Sequence, residues 1–331
     1  MNPSLKIGLI GCGRAAELIY LPAIKKFSDV EVIAAVDPIE ERRELISKNF
    51  KNCNTYSSLK NNLPTGRKDL LEQIDAAIIS TPPDNHIISA STLLKNNKFV
   101  LVEKPLALSM EGIKELIEIE SSSHASLMMG FNHRYWQPVV DLKDKLSVNH
   151  KIDFAEIVFT GNYSKWNPVS FKSDPLDDLG PHLFDLIRFI FNKDIKSISA
   201  VSTGKNIFQM NVKISSGISI KCHLSHSNKT IKSIKVRSND ETFFITLSSV
   251  RIKPQRGNLR SFLDLNDMIK RKLMKKTSPI KKTYEIQLRN FFNLIRLNNQ
   301  THPGIKDGIA SILAVEATRI SISKSGKEIF L

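Results

Sequence analysis

Leu5-Lys6-Ile7-Gly8-Leu9-Ile10-Gly11-Cys12-Gly13-Arg14-Ala15-Ala16 decides the fold of this 331-residue chain. A short apolar run enters a glycine turn, and Ala15–Phe27 then carries the spacing of an amphipathic helix. Gly11 permits a tight reversal, Gly13 lets backbone approach an anion, and Ala16 is small enough for close helix–strand packing. Cys12, Arg14 and Ala15 fall where helix-start N–H groups and a positive dipole end meet a pyrophosphate. Asp37 ends the next apolar run, 24 residues after Gly13, where a carboxylate accepts both ribose hydroxyls. The same charge repels a 2′-phosphate, so the expected cofactor is NAD, with NADP the lesser alternative.

Outward from this stretch, apolar runs and helical patterns alternate. Leu5–Ile10, Val30–Val36, Asn54–Tyr56, Ala76–Ser80, Phe99–Val102 and Ser126–Met129 read as strands; Ala15–Phe27, Glu40–Lys48, Asn85–Asn96 and Met110–Ser121 read as helices. Alternation of this kind predicts an α/β fold, an N-terminal Rossmann doubly wound parallel sheet, over residues 1–130. From residue 131 to 331 the pattern becomes strand-rich. Phe154–Tyr163, Ile195–Thr203, Phe208–Ile214, Ile218–His226, Ile231–Arg237 and Thr242–Leu247 read as strands, with helices at Val139–Leu146, Pro181–Phe191, Tyr284–Leu297 and Ile305–Ser323. The turn residues Ser215-Ser216-Gly217 and Asn239-Asp240 predict mostly antiparallel pairing in an α+β open-sheet domain for substrate binding and oligomerisation.

Hydrophobic residues at 41% and charged residues at 24% fit a globular chain, and no run is long enough to span a bilayer. Met1–Leu5 lacks a basic region followed by an apolar stretch, so no signal peptide is expected. Cys12, Cys53 and Cys222 are odd in number and scattered, which excludes a disulfide framework or a CxxC site and suits a reducing cytoplasm. The net charge is +15; residues 229–282 hold 15 basic and 4 acidic side chains. Either a solvated basic surface or an anion-attracting patch follows from that. Phe262, Leu265, Ile269 and Leu273 share one helical face beside Lys270-Arg271-Lys272, which allows contact with a membrane surface or a charged lid. Nucleic-acid binding is not expected, because no aromatic platform or groove-reading motif is present. His223 and His226 fall on opposite faces of one strand, so no metal site is expected there.

The chemistry-bearing residues cluster at strand ends. The fourth strand ends in Ser80-Thr81-Pro82-Pro83-Asp84-Asn85-His86 and the fifth in Glu103-Lys104-Pro105, at the carboxyl edge where open α/β sheets bind ligands. Further on stand Gly130-Phe131-Asn132-His133-Arg134-Tyr135 and Asp178-Leu179-Gly180-Pro181-His182, with Asp185 one turn later. These motifs, in this order across essentially the whole chain, resemble the glucose–fructose oxidoreductase/inositol dehydrogenase (Gfo/Idh/MocA) family. The resemblance implies a Rossmann domain followed by an open-sheet domain, hydride transfer between nicotinamide and an alcohol carbon, and a dimer or tetramer. It implies that Lys104 and His182 flank the substrate carbon, and that Thr81, Pro82, Asn85, His86 and Glu103 serve the cofactor. Lys172-Ser173-Asp174-Pro175-Leu176-Asp177 stands where many members carry glycines, so the substrate is the least transferable part.

Each residue has a role its chemistry supports. Imidazole titrates near physiological pH, and Pro181 places His182 in a first helical turn, where the dipole keeps the ring neutral and basic. Asp185 shares that helical face and is expected to orient the ring; Asp178 is expected to tune it or bind a substrate hydroxyl. Lys104 supplies a cation for developing negative charge on oxygen. Asn132 and Arg134 are expected to line the same cleft, and Trp166 to stack on a sugar face or fill core. Two functions remain open at this stage. One is an NAD-dependent dehydrogenase acting on a secondary alcohol of a sugar, cyclitol or nucleotide-sugar. The other is a non-catalytic NAD-sensing or surface-associated protein on the same fold.

Overall fold

The computed structural model describes residues 4–59, 69–146, 151–161, 174–227, 230–238, 241–246, 249–254 and 279–331. Trp166 and the amphipathic stretch Phe262–Leu273 lie outside them. By its internal contacts the chain forms two compact units: Met1–Asn132 with Tyr284–Ile312, and His133–Thr283 with Leu313–Leu331.

The first unit is built on a six-stranded parallel sheet: β1 (Leu5–Ile10), β2 (Val30–Val36), β3 (Asn54–Tyr56), β4 (Ala76–Ile79), β5 (Phe99–Val102) and β6 (Leu127–Met129). Their order is β3-β2-β1-β4-β5-β6, so the winding reverses between β1 and β4. Helices α1 (Leu21–Ile24), α2 (Glu40–Ser47), α3 (Leu70–Gln73), α4 (His86–Lys95) and α5 (Ile113–Ser122) belong to the same unit. The strands are buried almost throughout, which is why they read as continuous apolar runs.

The helix after β1 departs from the expected regular form. Ala16–Tyr20 is a π-turn, with the Leu21 N–H donating to the Ala16 carbonyl five residues back. Pro22 supplies the reason: with no N–H and a ring that crowds the preceding turn, it is accommodated by widening the ladder ahead of it. The widened turn carries Tyr20, which is fully buried.

The sequence expectation of one continuous second domain from residue 131 is corrected by the C-terminal helices. Within α9 (Pro279–Arg296), the Phe292 ring meets Phe27 edge-on at 5.2 Å between centroids, Tyr284 meets Tyr20 at 6.0 Å, and Arg296 Nη2 lies 2.7 Å from Asp29 Oδ2. Lys26 pairs with Glu285, and the Met129 N–H donates to the Pro303 carbonyl at 2.6 Å. Local pattern identifies these helices but carries no information on which core they pack against. α10 (Ile305–Ser323) passes from the first unit to the second at Ile312.

The second unit holds an eight-stranded sheet: β7 (Ile152–Gly161), β8 (Ile195–Gly204), β9 (Ile207–Ile214), β10 (Ser219–His226), β11 (Ile231–Ser238), β12 (Glu241–Thr246), β13 (Ser249–Pro254) and β14 (Ile329–Phe330). The order is β13-β12-β11-β7-β10-β9-β8-β14. Pairing is antiparallel except between β7 and β10, which run parallel at the centre. Helix α8 (Gly180–Phe191) is buried along nearly its whole length, and Leu183, Phe184, Leu186, Ile187 and Ile190 join the sheet residues Ile157, Phe159 and Leu224 in one core. α6 (Gln137–Leu146) and the short α7 (Pro175–Asp178) belong to the same unit. Of the charged stretch ending in Asp177, Lys172 and Ser173 lie outside the described residues, and Pro175, Leu176 and Asp177 form a helical turn. Asp174 caps it by accepting from the N–H groups of Leu176 and Asp177, and both Asp174 and Asp177 pair with Arg319 at 2.9 Å.

Candidate active site

At the carboxyl edge of the first sheet, Gly11 follows β1 with φ +87°, and a Cβ there would lie 2.6 Å from the Thr81 backbone nitrogen. Only glycine fits that position. Its neighbour across the winding reversal is fixed as well: Ser80 Oγ donates to the Gly11 carbonyl at 2.8 Å, and the Ser80 N–H donates to Ile10 at 2.7 Å. Gly13 is different in kind, because a Cβ built on it meets nothing within 4 Å. The space above it is open, as the approach of an outside group requires. Arg14 and Ala15 open the helix beyond it, and the Glu17 N–H closes the first turn on the Gly13 carbonyl at 3.0 Å.

Asp37 terminates β2, where its carboxylate accepts from the Cys12 N–H and the Ile39 N–H, each at 2.9 Å. It is 5% exposed, so its position is set by these bonds rather than by solvent. The Cys12 N–H is engaged here, and its thiol is pushed up to about 12 by burial and by the Asp37 charge, so it stays protonated. Arg43 Nη1 donates to the Asp37 carbonyl at 3.1 Å.

The ends of β4 and β5 are tied to each other. His86 Nδ1 lies 2.7 Å from the Pro105 carbonyl and Nε2 lies 2.9 Å from the Thr81 carbonyl. Both ring nitrogens serve the two loops, which makes His86 a brace between them; Asn85 and Pro82 lie in the turn just before it. Burial lowers the tendency of this ring to protonate. Thr81 Oγ1 is buried and has no hydrogen-bond partner among the described residues, which leaves one polar atom at this edge for an incoming group to satisfy. The open space at Gly13, the orphaned Thr81 hydroxyl and the fixed Asp37 carboxylate fit a dinucleotide.

Lys104 is held from both sides. The peptide to Pro105 is cis, and the Pro105 carbonyl meets His86. Glu103 Oε2 accepts from the Lys104 N–H at 3.1 Å, and its other oxygen accepts from the Tyr20 hydroxyl at 2.6 Å. Burial raises the Glu103 carboxyl above its usual range, while Tyr20 and Lys104 favour the charged form. Because the folded state binds the Glu103 proton more tightly than the unfolded chain, that carboxyl's contribution to stability is lost as pH rises through its raised value. Tyr20→Phe removes a bond that favours the carboxylate. It should cost about 1.5–3 kcal/mol in urea denaturation, and the cost should be larger at mildly alkaline than at acid pH.

In the second unit His182 stands in the first turn of α8, one residue after Pro181. Its Nδ1 lies 3.1 Å from Nδ1 of His133, with ring centroids 4.1 Å apart. Nε2 of His133 bonds to the Lys232 ammonium. Asp178 Oδ2 lies 3.6 Å from Nε2 of His226. The Arg134 guanidinium forks onto Asp185, with contacts of 3.1, 2.9 and 2.5 Å. Both Asp185 oxygens accept from Arg134, and the His182 ring meets His133. Asn132, buried, precedes this pair in the chain. His133, His226 and Lys232 were not expected here. His133 was visible inside the Gly130–Tyr135 motif. Lys232 was visible as a lysine in phase with Ile234 and Val236 on β11.

Residues 5–131 match the GFO_IDH_MocA family, described as an oxidoreductase family with an NAD-binding Rossmann fold. An inositol 2-dehydrogenase of Rhizobium meliloti (strain 1021) is 23% identical over 205 residues, 60% of this chain. The matched stretch spans 58% of that relative's length. Among solved structures, the WlbA dehydrogenase of Bordetella pertussis in complex with NADH and UDP-GlcNAcA has a TM-score of 0.82 at 16% identity, covering 100% of this chain and 99% of that one. The scyllo-inositol dehydrogenase of Lactobacillus casei with bound NAD(H) and scyllo-inositol has a TM-score of 0.78 at 14% identity, covering 99% of each. These likenesses show the fold over the full length, and residues 5–131 are similar to the NAD-binding Rossmann domain of that oxidoreductase family.

Proposed function

We propose that the protein is an NAD-dependent dehydrogenase that interconverts a secondary alcohol and a ketone on a sugar, cyclitol or nucleotide-sugar. The observation that carries this reading is the cradle at the first sheet's carboxyl edge, with Gly13 open above the turn and the Asp37 carboxylate fixed just after β2. A bound nicotinamide dinucleotide supplies the hydride acceptor or donor. Gly11, Gly13, Arg14 and Ala15 hold its pyrophosphate, Asp37 its ribose hydroxyls, and Thr81 gives its hydroxyl to the same ligand. Lys104 orients the substrate oxygen and stabilises negative charge that develops on it. His182 exchanges the hydroxyl proton, and Asp178 binds a substrate hydroxyl. The relatives named for inositols and the neighbour bound to a nucleotide-sugar support the substrate class. We place the enzyme in the cytoplasm as a homodimer or homotetramer; among the described residues no helix is long and apolar enough to cross a membrane.

The test is a panel of sugars, inositols and nucleotide-sugars with NAD and NADP, following the absorbance of reduced nicotinamide. No turnover across the panel, together with no binding of NADH, would sink the proposal. The cofactor preference has its own check. Asp37→Ser removes a charge-assisted acceptor, so NADH binding should weaken by about 10–100-fold. NADPH binding should weaken less or improve, because the repulsion of a 2′-phosphate goes too. Fluorescence titration of both cofactors reads the ratio, and an unchanged ratio would remove Asp37 from the ribose site.

A further inference from the structure

Lys232 occupies an inward position on β11. It is 9% exposed, whereas its neighbour Ile231 is 46% exposed. A lysine in the core phase of a strand needs partners for its charge. Its Nζ lies 5.5 Å from the centre of the Phe159 ring and bonds to Nε2 of His133. His133 in turn meets His182 through their Nδ1 atoms at 3.1 Å. Side chains from β11, from the segment after β6 and from α8 thus form one hydrogen-bonded line.

Donor and acceptor chemistry sets the protons along it. An ammonium only donates, so Nε2 of His133 accepts, and a neutral ring that accepts at Nε2 carries its proton on Nδ1. Nδ1 of His182 is then the acceptor between the two rings, and a neutral His182 holds its proton on Nε2.

We infer that His133 and Lys232 are a proton relay behind His182, with Lys232 as its proton store. The inference rests on the proposed dehydrogenase reading. In the reducing direction the substrate carbonyl carbon gains hydride from the reduced nicotinamide, and its oxygen takes the Nε2 proton of His182. His182 Nδ1 then takes the Nδ1 proton of His133. His133 Nε2 takes a proton from Lys232, which is left as a neutral amine. The oxidising direction runs the same steps backward from the neutral-amine state, with His133 protonated on Nε2 and His182 on Nδ1: the hydroxyl proton enters at His182 Nε2, each ring passes one proton on, and Lys232 becomes an ammonium again. One proton enters and one is stored, so neither ring has to hold a charge after the transfer.

Nitrogen-15 NMR of the histidine-labelled protein without substrate should show His182 as the Nε2–H tautomer and His133 as the Nδ1–H tautomer. Lys232→Met keeps the stem over Phe159 but removes the donor; the His133 preference should relax, and kcat should fall about 10²-fold with KM little changed. Lys232→Arg separates relay from scaffold, because a guanidinium donates but does not release its proton. It should restore the tautomers and leave kcat low. An Nδ1–H tautomer on His182 in the wild-type protein would overturn the inference whatever the turnover, and so would wild-type kcat in Lys232→Arg. Absence of turnover in wild-type protein that shows the expected tautomers would overturn the dehydrogenase reading, and with it the catalytic relay, while leaving the hydrogen-bonded line in place.

Discussion

Lys104→Ala should lower kcat by about 10²–10³-fold while leaving NADH affinity within about threefold of wild type. The two readouts separate because of how this residue is mounted. Its backbone is fixed by groups that the substitution leaves in place: Glu103 accepts from its N–H, Tyr20 holds Glu103, and His86 meets the carbonyl of Pro105. Alanine therefore removes the ammonium without releasing the loop. A preorganised cation costs no rearrangement when charge develops on oxygen, which is why its loss appears in kcat. Lys104→Arg should recover little, because a planar fork on a differently shaped stem does not replace a compact ammonium. Steady-state kinetics and NADH titration on the same preparations decide the matter. Turnover at the wild-type rate in Lys104→Ala, or a loss of NADH affinity as large as the loss in kcat, would remove Lys104 from the chemistry.

The first sheet was legible because its residues solve one problem in one way. Strands buried on both faces must be apolar throughout, as Ala76–Ile79 and Phe99–Val102 are, and the glycine turn marks where the winding reverses. Strand existence in the second sheet was equally plain, since β9 and β11 alternate buried and exposed positions along their length. Strand direction was not. The turn at Ser215-Ser216-Gly217 gives the antiparallel β9–β10 hairpin, but nothing local says that β10 also pairs parallel with β7. That pairing is a long-range choice, and alternation has the same form in either direction. β13 was passed over although Val250-Arg251-Ile252-Lys253 alternates, because the charge of the surrounding stretch dominated the reading.

The candidate site divides along the same line. The geometry at Gly11, Gly13 and Asp37 was legible because a glycine turn and a strand end stand at fixed spacing in the chain, and the structure shows the turn, the open space and the oriented carboxylate. The helix-start position of His182 was legible from Pro181, but its hydrogen bond with His133 was not, because that bond joins residues 49 apart in the chain. Helical spacing favoured Asp185 as the orienting group, and a carboxylate three residues on does share a face. Spacing names which side chains are near each other; it does not say which of them another charge has engaged.

That engagement carries the second large effect: Arg134→Met should destabilise the protein by about 3–5 kcal/mol. Asp185 is 1% exposed, and both of its oxygens accept from the Arg134 guanidinium. Taking the guanidinium away removes the cation from a carboxylate on a helix whose Leu183, Leu186 and Ile187 are buried in the core. Methionine is the informative replacement because it keeps an unbranched stem where the guanidinium lies 5.2 Å from the centre of the Phe189 ring. The cost then reports the abandoned charge rather than lost packing. If so, the double variant Arg134→Met with Asp185→Leu should recover most of the loss, since a buried pair replaced by apolar groups is often neutral. Chemical denaturation of the wild type, both single variants and the double variant closes the cycle. A cost under about 1 kcal/mol for Arg134→Met would mean that the pair is solvated as a surface bridge would be. The same cycle bears on the site, for Asp185 lies one turn from His182 on α8. Recovered stability with turnover still depressed would show that the ion pair also sets the position of that ring.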